Sequence, residues 1–164
     1  APEDCEIAVN IRQSIISLRM VLSSVGPLTE LKNLASLDLS GSSSIENLNE
    51  LIGCTKLTSF TLQNASFTAL PAGLDEITRL THLDLAGCQS LQNVDGLVNL
   101  TNLKKLKLFR CKSLQNVDGL SNLPNLTDLD MRDWEIVNPA PRKYWMEERD
   151  QVVEYQEKIK KSMK

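Results

Sequence analysis

Leucine returns along the middle of this chain at a fixed interval. Leu34, Leu57, Leu80, Leu103 and Leu126 stand 23 residues apart, and one apolar frame follows each of them. After the first anchor it runs Leu37, Leu39, Ser42, Ile45; after the second, Phe60, Leu62, Ala65, Phe67. The third copy is Leu83, Leu85, Cys88, Leu91 and the fourth Leu106, Leu108, Cys111, Leu114; the fifth fades through Leu129, Met131 and Trp134. A second set precedes each anchor: Leu28 and Leu31, Leu51 and Cys54, Leu74 and Ile77, Leu97 and Leu100, Leu120 and Leu123. Segments 90–97 and 113–120 are identical.

Apolar and polar positions alternate at the centre of each copy, which predicts a short strand with one face buried. The chain then turns at the small or cysteine position and returns along the far side. No copy can bury its leucines alone, so stacking creates the core.

An LxxLxLxxCxxL frame at this spacing resembles the leucine-rich repeat family, over roughly residues 28–136. The resemblance implies an α/β solenoid, a short horseshoe arc with a parallel β-sheet on its concave face. Cys88 and Cys111, each followed by a Ser-Leu pair two residues on, resemble the repeats of plant disease-resistance receptors. Val94–Leu97 and Val117–Leu120 are more similar to bacterial internalins, and Leu70–Leu74 to many bacterial and plant members. The subclass stays open between these groups.

The ends follow other periods. Ile7, Ile11, Ile15, Leu18, Leu22 and Val25 form one helical stripe that Asp4 can cap and Gly26-Pro27 can stop. Residues 1–27 are therefore expected to be a capping helix, with five repeats over 28–141. An extra repeat is the alternative there, but Ser14 and Arg19 spoil a frame carried back 23 residues from Leu34. Residues 142–164 are more than half charged, and Trp145, Val152, Tyr155, Ile159 and Met163 predict a second amphipathic helix. It reads as a cap on the last coil or as a docking helix, with Trp145 and Tyr155 as candidate contacts.

Composition narrows the function. A net charge of −3 and a pI near 5.2 argue against binding nucleic acid through bulk positive charge. No apolar run reaches the roughly 18 residues that span a bilayer. Cys5, Cys54, Cys88 and Cys111 lack the paired short spacing of a metal site, and the repeat position of Cys88 and Cys111 points inward in the family. Structural thiols are expected, with no cofactor and no metal. They favour a reducing intracellular compartment; secretion with a signal peptide removed is the alternative. The sequons at Asn64, Asn99 and Asn125 arise largely from the repeat itself.

The frame also names the residues that face solvent on the strands. They are the third, fifth, seventh and eighth from each anchor: Ser36, Asp38, Ser40, Gly41, then the same places in later repeats. Lys105 should face Asp128, Lys107 should lie between Asp84 and Asp130, and Arg110 should face Asp133. His82, beside Ser59 and near Asp84, resembles a catalytic set on paper, but an open sheet supplies neither oxyanion donors nor shelter from water. Phe109 stands out as a large aromatic in an exposed column, with Arg132 in cation–π range. The resemblance implies a non-enzymatic protein-recognition module. Its expected contacts are Phe109, Arg132, His82, Asp84, Gln63 and Lys107, its partner a protein, and the isolated chain a monomer with no nucleic acid or membrane to bind. The alternatives are an architectural subunit docked through its end helices and an exported bacterial effector or adhesin.

Overall fold

A computed structural model describes residues 17–21, 25, 28–42, 45, 47–133, 139–141 and 144–164. Six short parallel strands stack in chain order: β1 (Ser17–Arg19), β2 (Ser36–Asp38), β3 (Ser59–Thr61), β4 (His82–Asp84), β5 (Lys105–Lys107) and β6 (Asp128–Asp130). From β2 onward each residue pairs with the one 23 positions later, as in Ser36↔Ser59 and Lys105↔Asp128. The sequence period is the register of the sheet.

The middle residue of every repeat strand points inward. Leu37, Phe60, Leu83, Leu106 and Leu129 are each at most 2% exposed, and all five anchors are fully buried. The chain returns through short 3-10 turns at Asn49–Gly53, Leu74–Glu76, Asp95–Leu97 and Asp118–Leu120. Each turn buries a leucine against the same core: Leu51, Leu74, Leu97 and Leu120. Phe67 fits its frame position less deeply and is half-buried at the core margin. Residues Asn93 and Asn116 stack on the return side, each accepting a backbone N–H two residues on.

The thiols behave as structural groups. Cys88 and Cys111 donate to the carbonyls of Leu62 and Leu85, each at 3.2 Å, and Cys54 donates to Leu28 at 3.4 Å. Burial pushes the Cys88 thiol up to about 11 and that of Cys111 up to about 12, so neither is a nucleophile at neutral pH. Cys5 lies outside the described residues. The eighth position of each repeat takes a left-handed backbone, with φ of 82° at Gly41, 58° at Asn64, 77° at Gly87, 60° at Arg110 and 59° at Asp133. Glycine and asparagine accept that conformation readily; arginine does not.

Both ends depart from expectation. Ser17–Arg19 is extended and pairs with β2, so Leu18 belongs to the sheet and not to a helical stripe. Ser17 meets Ser36 only nineteen residues on, four fewer than the repeat length, which is why the frame carried back 23 residues found nothing. Ile7, Ile11, Ile15, Leu22 and the Gly26-Pro27 stop lie outside the described residues, as does Trp134.

At the other end the helix is shorter than expected. The chain first forms β7 (Trp145–Met146), antiparallel to β6, and only then α1 (Arg149–Ser162). Trp145 is thus a strand residue at the sheet edge rather than the start of a helical stripe. Val152, Tyr155 and Ile159 are buried, while Met163 is 56% exposed. Gln156 donates to the carbonyls of Leu120 and Leu123 at 2.8 and 3.0 Å, and Arg149 to that of Leu126 at 2.8 Å. These bonds seat α1 over the last coil as a cap.

Candidate functional site

Strand alternation sends the residues flanking each buried leucine onto the concave face, and there the two halves of the sheet differ. Repeats one and two present Ser36, Ser40, Ser59, Thr61 and Gln63, with Asp38 the one acid among them. Repeats three to five present His82, Asp84, Lys105, Lys107, Phe109, Asp128, Asp130 and Arg132.

The acids lie low. Asp84 accepts the N–H of Ala86 at 3.0 Å and the Gln63 amide at 2.9 Å; Asp130 accepts the N–H of Arg132 at 3.2 Å. Asp38 does the same for Ser40 at 2.9 Å. An aspartate at this strand position caps the turn that follows it. Its carboxylate is therefore held near the sheet, with 15% of the Asp84 side chain and 8% of the Asp130 side chain exposed.

The cations lie above them. Lys107 reaches Asp84 at 3.4 Å, Lys105 reaches Asp128 at 3.6 Å and Arg110 reaches Asp133 at 3.2 Å, as the strand spacing requires. Arg132 takes Asp130 in a two-pronged contact, Nε to Oδ1 at 2.9 Å and Nη2 to Oδ2 at 2.7 Å. Burial alone would raise the Asp130 carboxyl; the hydrogen bonds from Arg132 outweigh it and hold the group below its ordinary value.

Two aromatic rings also lie within cation–π range of this arginine. Its guanidinium lies 5.5 Å from the centroid of Phe109 and 4.3 Å from that of Trp145, while Arg110 covers Phe109 at 4.9 Å. Trp145 comes from β7, whose antiparallel pairing puts it opposite Asp130, and its Nε1–H points to Asp128 at 3.4 Å. Phe109 itself stays half-exposed beneath the two guanidinium groups.

Six of the eight sequence-chosen residues meet in one shallow hollow: Gln63, Asp84, Lys107, Phe109, Arg132 and Trp145. His82 lines the neighbouring hollow with Ser59 and Lys105. Its Nδ1 is 2.8 Å from Thr81 Oγ1, and Asp84 is engaged elsewhere, so no acyl-transfer relay forms. Burial and then Lys105 and Lys104 lower the His82 pKa. Tyr155 does not join them: it is 3% exposed and its hydroxyl donates to the Pro139 carbonyl, so a partner cannot reach it. Sequence reasoning missed Asp128 and Asp130 as parts of the site. The recurrence of aspartate at 38, 84 and 130 was the available signal. Among the described residues no three His, Cys, Asp or Glu side chains cluster to hold a metal, and no helix is long and apolar enough to cross a membrane.

Residues 71–146 match the family described as Zer-1-like, Leucine-rich repeats. The fold is similar to that of the Leptospira interrogans LRR protein LIC12759, at 24% identity and a TM-score of 0.65 over 79% of this chain and 34% of that one. It is also similar to the functional domain of InlJ from Listeria monocytogenes, which includes a cysteine ladder. There the identity is 18% and the TM-score 0.55, over 80% of this chain and 33% of that one. The chain spans about a third of the length of these two structures. No curated protein sequence matches it.

Proposed function

We propose that this chain, a leucine-rich-repeat protein, recognises a protein partner without catalysing a reaction, through the concave face of repeats four and five. The observation that carries this reading is the Phe109–Arg132–Trp145 stack. Aromatic and arginine side chains are the types that dominate binding energy at interfaces. Here the arginine lies within range of two rings and is already held by a two-pronged carboxylate, so little rotamer freedom remains to be lost on binding.

Docking through the C-terminal helix fits less well, because its apolar stripe is spent on the last coil. Val153 and Met163 are what α1 leaves outside, at 37% and 56% exposed.

Affinity capture from a lysate of the source cell tests the choice. Wild type is compared with Phe109→Ala/Arg132→Ala and with Val153→Asp/Met163→Asp, each checked for folding by thermal melting. Loss of the same partner in the first variant alone supports the concave face. Loss in the second alone transfers the function to α1 and contradicts the proposal.

A further inference from the structure

Hydrogen-bond accounting on the concave face of repeats three to five leaves more unmet demand among donors than among acceptors. Two of the four acids are spent as acceptors. Both oxygens of Asp84 are engaged by Ala86, Gln63 and Lys107, and both oxygens of Asp130 by Arg132. The donors are not. Lys105 and Lys107 sit 3.6 and 3.4 Å from their carboxylates, beyond a good hydrogen bond, and each ammonium carries three N–H groups. Arg110 gives Asp133 only its Nε–H among the described contacts.

Height above the sheet adds to this. Exposure is 53% for the Lys105 side chain against 29% for Asp128, 57% for Lys107 against 15% for Asp84, and 48% for Arg132 against 8% for Asp130. Asp84 and Asp130 are short and held down by the turns they cap, whereas lysine and arginine are long and rise past them. These three pairs cancel in net charge, but each is a dipole with its positive end outward. Arg110 and Asp133 stand nearly level, at 59% and 52% exposed. Whatever approaches meets ammonium and guanidinium tips, with Phe109 and Trp145 beside them.

We propose that the partner segment recognised here is an extended acidic peptide, its carboxylates meeting Lys105, Lys107 and Arg110 and an apolar side chain resting against Phe109 and Trp145. This rests on the concave-face reading above and adds the chemistry of the partner. A peptide is favoured over nucleic acid because the cationic tips come from only two neighbouring coils, about 4.8 Å apart.

A random twelve-residue peptide library is displayed on phage and selected against the full chain at low ionic strength. Enriched peptides are then synthesised and their affinities measured by fluorescence anisotropy. Enrichment of Asp and Glu beside an aliphatic or aromatic residue is expected. Affinity should fall about tenfold in Lys105→Gln/Lys107→Gln/Arg110→Gln, fall again as salt is raised, and stay unchanged in Lys56→Gln, an exposed lysine outside the strands that bonds Asn33. Cationic or neutral consensus peptides, or no enrichment, overturn the acidic assignment. If such peptides are still lost on Phe109→Ala, the concave-face reading survives that failure. Acidic peptides indifferent to both sets of substitutions overturn both. A single-stranded oligonucleotide of equal charge that binds more tightly than any selected peptide overturns the choice of a protein segment.

Discussion

Repeats one and four are built on the same interior and show opposite exteriors. Beneath β2 lie Leu34, Leu37 and Leu39, beneath β5 Leu103, Leu106 and Leu108, and all six are fully buried. Above β2 stand Ser36, Asp38, Ser40 and Gly41; above β5 stand Lys105, Lys107, Phe109 and Arg110. The strand pleat makes this separation possible, since alternate residues answer to different environments. Folding energy is collected on one face and leaves the other free to vary. A neutral hydroxyl surface and a charged aromatic one can therefore share a single sheet.

The comparison first requires equal interiors. Leu37→Ala and Leu106→Ala should each cost about 2–5 kcal/mol and agree within the spread of such substitutions, measured by urea unfolding. A large inequality would mean that the two halves are not one core. The turn-capping aspartates come next. Asp130→Asn should cost about 1–3 kcal/mol, more than Asp38→Asn, because it abandons a two-pronged contact at a carboxylate only 8% exposed. Asp38 loses a single contact, at 3.1 Å, from an Arg19 that is 81% exposed. The Asp130 pKa is lowered on folding, so its contribution is complete above the ordinary value of 3.8 and is lost as pH falls through the lower folded value. The gap between wild type and Asp130→Asn should accordingly close in strong acid.

Smaller effects test the left-handed column. A Cβ at Gly41 would meet only the Val21 side chain, at 3.9 Å, so Gly41→Ala should cost about 1 kcal/mol from backbone strain alone. Arg110→Gly should recover up to about 1 kcal/mol, less what the Asp133 pair contributes. Smallest is the Lys105–Asp128 pair. A double-mutant cycle should give about 0–0.5 kcal/mol, falling with salt, because both side chains are substantially exposed.

The periodic part of the molecule was legible because burial enforces it: a lost leucine at 57 or 103 would open a cavity, so the frame keeps its length. Register followed from period, and with it the pairs Lys105–Asp128 and Arg110–Asp133. The ends were less legible because no neighbouring copy holds them to 23 residues. β1 pairs nineteen residues ahead of β2, and Trp145 reaches the site through an antiparallel strand that helical spacing disguised. The apolar spacing of 145, 152, 155 and 159 fits a helix, yet only the last three are placed on one. The layering of acids below cations was invisible too, because it depends on side-chain length and turn capping rather than on order along the chain.

Site-specific photo-crosslinking measures the central claim most directly. p-Benzoylphenylalanine replaces Phe109 in one chain and Ser40, the equivalent residue of repeat one, in another. Both are irradiated in a lysate of the source cell and the adducts identified by mass spectrometry. The account predicts a partner adduct from position 109 and none from position 40. The same adduct from both positions, or from position 40 alone, would contradict the assignment of recognition to repeats four and five.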